Sequence, residues 1–392
     1  MNILFLTNTD PRISKGSGKN LRTHLLWNAL KKNNRVFTCV YFGTRVYSEE
    51  VGTISEIHPV FCLPEENEPD RLFFRLLRKF VQFCAGMGLL PARIVDSYNP
   101  ANYYPGIKFD IIVARYLSTA CLFPFQKVAP LYIDFDDSPI QGLKSIITEI
   151  NPPILRPMAL MYKKLQLLHA ESIMKGGWIS NNSQLKEIRG NIKHLPNVSI
   201  PPSPTYNRNA PRKKYLFCIG FMGYAPNYLG VNKFLNEIWP EFHSSFPDIQ
   251  FLIVGKSAPN ECAERWNSTN GVEYLGYVDN IEQIYEECLA SVVPIWSGSG
   301  TAIKTRESIS YSRACLSTQF GVRGFYNEDI SNGKSGLLVF NDSKEFIDAF
   351  KIIYNDDSRY KIEESAYKYY LDHLSMNIFE DAVESMINIT GN

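Results

Sequence analysis

Residues 294–325 read PIWSGSGTAIKTRESISYSRACLSTQFGVRGF, and the order of residue types in this stretch decides the fold. A short apolar run ends at Pro294–Ile295, a small-residue loop follows (Ser297, Gly298, Ser299, Gly300), and helix-forming residues start near Thr301. A strand feeding a glycine-rich turn and then a helix is half of a parallel β–α–β unit. Small residues let the backbone approach a ligand closely, and the N–H groups of a first helical turn carry a partial positive charge. Such a turn seats a diphosphate. Lys304 falls in that first turn, where its ammonium can reach the same phosphates. Glu307 follows at i, i+3 on the same face, where a carboxylate can accept hydrogen bonds from a ribose diol. Taken alone, the pair fits an exposed helical ion pair equally well.

Outward from this stretch the same alternation runs through the chain. Tyr215–Gly220, Phe251–Gly255, Ser291–Ile295 and Cys315–Thr318 read as strands, with helices at Leu229–Trp239 and Ile281–Glu287. On the N-terminal side, Ile3–Thr7, Val36–Tyr41, Ile111–Ala114 and Leu131–Asp134 read as buried strands, with helices at Lys19–Lys32 and Ile154–Lys175. Between the halves, Pro196, Pro201, Pro202, Pro204 and Pro211 crowd a polar stretch and favour an extended linker. The expected fold is therefore α/β: an N-terminal Rossmann-like domain over 1–198, a linker over 199–212, a second Rossmann-like domain over 213–372, and a C-terminal helix over 373–392 packing back on the first. Domains of this kind bind ligands at the carboxyl ends of their strands, so two facing halves make an interdomain cleft the default site.

The C-terminal half resembles the donor-binding domain of the family 4 glycosyltransferases, retaining enzymes of the GT-B fold. The likeness rests on four ordered blocks: Gly220–Pro240, Phe251–Lys256, Val272–Cys288, and Pro294 to Gly324 with its Gly298–Gly300 turn, Lys304, Glu307 and Gly321–Gly324. The resemblance implies that Lys304 holds the donor phosphates, that Glu307 holds the ribose hydroxyls, and that backbone around Tyr277–Val278 reads the base. It places Gly298, Ser299, Gly300 and Thr301 at the diphosphate. Two positions depart from the family's pattern. Ser299 stands where the first of two glutamates eight residues apart is usual. The loop Phe221-Met222-Gly223-Tyr224-Ala225-Pro226-Asn227 lacks the usual Arg and Lys. Gly223, Tyr224 and Asn227 mark a subfamily form of that loop, and more of the phosphate charge then falls to Lys304 with Arg323.

In the N-terminal half, Ile3–Thr7 followed by Gly16, Ser17 and Gly18 matches the first strand–loop–helix of the same fold, whose loop faces the acceptor and the donor phosphate. A Walker A reading of GSGKN fails, because Asn20 replaces the required Ser/Thr and Ile13 stands where the motif needs Gly. Arg115, after its strand, can stabilise a leaving diphosphate or serve as a structural ion-pair partner. Asp134, Asp136 and Asp137 can bind acceptor hydroxyls, with Asp137 a catalytic candidate, or can serve turn and N-cap chemistry. Residues 71–90, RLFFRLLRKFVQFCAGMGLL, place Arg71, Arg75, Arg78 and Lys79 in a basic stripe beside an apolar face. That pattern fits a helix on an anionic membrane surface or an ordinary surface helix.

The chain has 392 residues and a formal net charge of +1, which gives no support to a nucleic-acid partner. Eight single cysteines and six histidines show no metal-ligand or disulfide spacing, so no metal is expected and the cysteines read as small core residues of a reducing compartment. No secretory signal and no run of 18 apolar residues is visible. The expected protein is cytoplasmic or peripheral at the inner face of a plasma membrane. Its expected reaction moves a hexose from a UDP or GDP sugar to a hydroxyl of a saccharide or lipid-linked acceptor, with retention, in bacterial surface polysaccharide synthesis, without cofactor. A sugar-nucleotide epimerase and a silent nucleotide-binding module of the same fold are the rival readings.

Overall fold

A computed structural model describes residues 1–14, 18–42, 57–61, 84, 99, 102–147, 153–200, 202–298, 303–325, 327–331 and 333–388. The chain divides into two compact units: unit 1 holds 1–195 with 380–392, and unit 2 holds 196–379. The divisions fall at 195/196 and 379/380, against the 198/199 and 372/373 expected from sequence.

Unit 1 is built from β1 (Asn2–Thr7), α1 (Gly18–Lys31), β2 (Arg35–Phe42), β3 (Ile57–Phe61), β4 (Ile111–Arg115), α2 (Leu117–Ala120), β5 (Leu131–Asp136), α3 (Pro139–Ile146), α4 (Leu155–Ile173), β6 (Met174–Ile179) and β7 (Ile192–His194). Its seven strands pair in parallel in the order β3-β2-β1-β4-β5-β6-β7. Ile3, Leu4, Phe5 and Leu6 are all fully buried, as a strand covered on both faces requires. On α1, Leu25, Leu26 and Leu30 face the core, and Trp27 Nε1 donates to Thr38 Oγ1 at 3.0 Å.

Unit 2 follows the same plan with β8 (Tyr215–Ile219), α5 (Ala225–Glu237), α6 (Trp239–Ser245), β9 (Gln250–Val254), α7 (Asn260–Asn267), β10 (Val272–Gly276), α8 (Ile281–Glu287), β11 (Ala290–Val293), α9 (Ile303–Ser310), β12 (Cys315–Thr318), α10 (Asn327–Ser331), β13 (Leu337–Phe340), α11 (Ser343–Tyr354) and α12 (Asp356–Tyr369). A π-helical turn (Tyr370–Leu374) leads into α13 (Met376–Ile387). Six parallel strands run in the order β10-β9-β8-β11-β12-β13. Each unit thus reverses its strand order once, between β1 and β4 and between β8 and β11. At such a reversal the flanking loops diverge and leave a crevice at the carboxyl ends.

The proline-rich stretch after residue 195 forms no helix or strand, yet it is no free linker. Ser203 N donates to Glu282 Oε1 at 2.7 Å, Tyr206 Oη to Tyr311 O at 2.8 Å, and Arg212 Nη2 to Glu363 Oε2 at 2.8 Å. Prolines remove backbone donors, so side chains and the remaining N–H groups fasten the segment to unit 2. The part of α13 from Glu380 on belongs to unit 1. There Glu380 pairs with Lys32 at 2.6 Å, Trp178 Nε1 donates to Ala382 O at 3.5 Å, and Lys193 Nζ donates to Ser385 O at 3.2 Å. The seven described cysteines, Cys39, Cys84, Cys121, Cys218, Cys262, Cys288 and Cys315, are buried and free, and Cys62 lies outside the described residues.

Candidate functional site

In unit 2 the packing of α5 against the end of β11 sets the site. A Cβ on Gly230 would lie 2.0 Å from Pro294 O, so only glycine allows the helix to sit this close to the strand end. The first turn of α5 is thereby carried to the crevice between β8 and β11. Asn227 Oδ1 accepts from Lys304 Nζ at 2.7 Å, while its Nδ2 donates to Phe221 O at 2.8 Å. One amide therefore ties the loop after β8 to the first turn of α9. The other side of α9 is fixed by Thr305 Oγ1, which donates to Gly321 O at 2.7 Å in the loop after β12. Gly298 has φ 125°, a conformation open to glycine, and a Cβ there would come 3.4 Å from Tyr224 Oη.

Lys304 and Glu307 share this crowded spot, and burial works against both charges. Burial pushes the Lys304 ammonium down to about 8, with Cys218 and Glu307 opposing only in part. Burial lifts the Glu307 carboxyl to about 7, against the Tyr285 hydroxyl and Lys304. By surface exposure both residues are half-buried, between the core and the solvent. An anion arriving beside Lys304 restores the favourable state of the ammonium.

The remaining unit 2 candidates lie at the same carboxyl edge of the sheet. Gly223, Tyr224 and Asn227 precede or open α5, and Tyr277 (65% exposed) and Val278 follow β10. Arg323 stacks its guanidinium carbon 3.4 Å from the Phe320 ring centroid. Ser299, Gly300, Thr301 and Gly16 lie outside the described residues, as does the stretch 71–90, expected as a surface or membrane-contacting helix, apart from Cys84. Gly18 is the first residue of α1.

Unit 1 has its own crevice, and beneath it lies a buried ion network. Arg22 Nη2 pairs with Asp134 Oδ1 at 2.7 Å, and Arg115 Nη1 pairs with Asp134 Oδ2. Asp136 joins through Arg115 Nη2 at 3.3 Å and Arg22 Nε at 3.6 Å. Arg115 also donates to Thr23 Oγ1 at 3.2 Å and to Tyr116 Oη at 2.7 Å. Burial alone would raise the Asp134 carboxyl, but Arg22 and Arg115 draw it below the usual range. Removing one partner of such a set strands a buried charge, at a cost of about 3–5 kcal/mol.

This arrangement redistributes the sequence candidates. The ion-pair alternative for Arg115 is the one seen, since its side chain is fully buried and its donors are spent on Asp134, Asp136, Tyr116 and Thr23. Asp134 is fully buried in the ion network and is not in the lining of the described cavity, where Asp136 and Asp137 of the expected trio stand. These two line a cavity of about 420 Å³ with Asn8, Lys19, Tyr116 and Lys163. Ser180 Oγ donates to Asp137 Oδ1 at 3.3 Å. The N-cap of α3 is Ser138, whose oxygen accepts from Gln141 N at 3.4 Å.

Sequence reasoning missed Lys19, Arg22, Tyr116 and Lys163. A signal existed for two of them: Lys19 and Arg22 stand at i, i+3 on α1, one cationic face opposite an Asp-rich strand end. Tyr116 carried no signal. Its backbone sits at φ 69°, ψ 147°, a region nearly reserved for glycine, at a cost of order 1–3 kcal/mol.

No curated protein sequence matches this chain. Residues 213–356 match the family model described as Glycosyl transferases group 1. The match lies wholly within unit 2. The matched stretch contains Asn227, Lys304 and Glu307, which lie together at this crevice. Solved structures share the architecture along the whole chain. WaaG, a glycosyltransferase involved in lipopolysaccharide biosynthesis, aligns at 12% identity over 100% of both chains with a TM-score of 0.62. The Anabaena protein HepE, solved in complex with UDP, aligns at 13% identity over 98% of this chain and 99% of its own, with a TM-score of 0.63. A glycosyltransferase from Rickettsia africae aligns at 14% identity, 99% and 98% coverage, and a TM-score of 0.61. Likeness at these identities establishes the fold, which is GT-B. With the group 1 domain, it supports a transferase enzyme of the glycosyltransferase type.

Proposed function

We propose that this chain transfers a hexose from a UDP or GDP sugar to a hydroxyl of a saccharide or lipid-linked saccharide, with retention at the anomeric carbon. The observation that carries the reading is the anchoring of Lys304 by Asn227 at the strand-order reversal of the group 1 domain, with Glu307 one turn away. Lys304 meets the leaving diphosphate, and Glu307 takes the ribose hydroxyls. Stabilising the leaving group is then the main catalytic contribution. The UDP bound to HepE, a protein of the same fold, favours a uridine donor over a guanosine one. Retention rests on the family 4 resemblance: a leaving phosphate oxygen receives the acceptor proton on the face that the hydroxyl attacks. The unit 1 cavity takes the acceptor, with Asp136 and Asp137 at its hydroxyls. No metal or cofactor enters this scheme.

The setting proposed is the cytoplasmic face of a bacterial membrane during surface polysaccharide assembly, with 71–90 resting on anionic lipid. The involvement of WaaG in lipopolysaccharide biosynthesis supports that setting. The chain's own support for membrane contact is the basic and apolar spacing of 71–90. No helix among the described residues is long and apolar enough to cross a membrane.

A thermal-shift panel of UDP, GDP, ADP and CMP tests the donor site. A nucleotide at 100 times its dissociation constant stabilises by about 2.7 kcal/mol. One diphosphate should stand out, and its shift should disappear in Lys304→Ala while the variant's own transition stays cooperative. Equal, absent shifts for all four nucleotides on the unaltered protein would overturn the reading.

A further inference from the structure

Tyr116 (φ 69°) and Asp136 (φ 64°) both line the unit 1 cavity in backbone conformations that side chains disfavour; a short carboxylate tolerates that region far better than a bulky ring, and the surroundings show how Tyr116 is held. Its N–H donates to Asp134 O at 2.8 Å, continuing the sheet past the end of β4, while its own carbonyl accepts from Thr119 N and Ala120 N at 3.2 Å each. The chain must pass from strand to the turn of α2 within this single residue. Its hydroxyl accepts from Arg115 Nη2 at 2.7 Å and donates to Asp136 Oδ2 at 3.3 Å. Around the ring, the Arg115 guanidinium carbon lies 4.2 Å and the Lys19 ammonium 5.3 Å from the centroid. Two members of the buried network, Arg115 and Asp136, therefore meet on one phenol.

A glycine here would satisfy the backbone at no conformational cost. What glycine lacks is a ring at the wall of the cavity. Strain retained at a ligand-sized cavity, against an easy relief, points to a use for the side chain. The cavity also has the chemistry of a sugar site: carboxylates at Asp136 and Asp137 to accept hydroxyls, an amide at Asn8, and an aromatic surface for the C–H face of a pyranose. The long hydrogen bonds to Asp136 Oδ2, both 3.3 Å, leave its acceptor capacity available to a ligand hydroxyl.

We propose that Tyr116 is the specificity-determining residue of this cavity, its ring carrying the apolar face of one pyranose while its hydroxyl holds Asp136 toward that sugar's hydroxyls. The inference rests on the transferase reading above and deepens it: the acceptor class is a pyranoside, and one residue selects it.

The test compares Tyr116→Gly, Tyr116→Ala and Tyr116→Phe with the unaltered full chain. Saturation-transfer NMR with a set of methyl pyranosides (gluco, galacto, manno and N-acetylglucosamine forms) reads the cavity, and thermal shift with UDP and GDP reads the donor site. At least one pyranoside should bind the unaltered protein. Its dissociation constant should rise tenfold or more in Tyr116→Gly and Tyr116→Ala, and less in Tyr116→Phe, which keeps the ring. Tyr116→Gly should melt above Tyr116→Ala, because both lose the ring and its hydrogen bonds and only glycine relieves the backbone. The nucleotide shift should be the same in all four proteins. Pyranoside binding unchanged in Tyr116→Gly, or no pyranoside binding to the unaltered protein, overturns the role of Tyr116. A missing nucleotide shift on the unaltered protein sinks the transferase reading instead, so the two failures are told apart.

Discussion

Lys304 and Glu307 are each held where protein surroundings disfavour their charge, and this has a readable pH signature. For Glu307, lifted from 4.5 to about 7, the native chain binds more protons than the unfolded one between those values. Its contribution to stability therefore falls as pH rises through that window. Lys304, lowered from 10.5 to about 8, behaves oppositely: the unfolded chain binds more protons between 8 and 10.5, so stability rises with pH there. Both shifts act on ligand binding. Below about 7 the Glu307 carboxyl is protonated, and above about 8 the Lys304 ammonium is neutral. Affinity for the preferred nucleoside diphosphate should peak between these values and fall several-fold by pH 9. Calorimetry at pH 8.5 in buffers of different ionisation enthalpy should show net proton uptake on binding; uptake indistinguishable from zero would remove Lys304 from the phosphates. The i, i+3 spacing of this pair was legible in the sequence. The shifts were not, because Asn227 and Tyr285, the groups that crowd the pair, come from α5 and α8, far away in the chain.

Elements announced themselves when their residues were apolar and unbroken. β1, β4, β5, β9 and β11 were readable because a parallel strand buried on both faces is a continuous apolar run. β6 was not, since MKGGWI carries two glycines that read as a turn. The helix expected at Leu229–Trp239 instead starts at Ala225, with Pro226 in its first turn, and ends where Trp239-Pro240 open α6. That earlier start matters, because it places Asn227 in the first turn of α5. The fit of α5 on β11 through Gly230 therefore positions the site without touching a ligand. Gly230→Ala should push α5 off the Pro294 carbonyl, costing about 1–3 kcal/mol in stability. It should also weaken nucleotide binding at least fivefold, by moving Asn227 from Lys304. Titration of the variant with the preferred nucleotide checks this, and an unaltered affinity would show that the helix position is not what holds Lys304.

Across the whole molecule, the two-unit α/β plan was legible from alternation alone, while the small edge strands β3, β7 and β13 and the unit 1 ion network were not. Short edges carry few residues for a periodicity to show, and buried charges look like surface charges until their partners are known. The C-terminal residues from Glu380 on serve unit 1, where Trp178 is fully buried beside Ala382. A chain ending at Phe379 should therefore lose stability in unit 1 and keep it in unit 2. Hydrogen exchange followed by peptide should show faster exchange across β6 and β7, with β8 to β12 unchanged, and equal acceleration in both units would contradict the assignment.

The same threading has a consequence during translation. The ribosome makes residues 1–195, then all of unit 2, and only afterwards the helix that covers Trp178. At roughly 5–20 residues per second, the second unit takes roughly 10–40 s to appear. Throughout that interval the nascent first half has its sheet but not its cover. The half made first is thus the half finished last, and in the cell it is the half that a chaperone has time to hold.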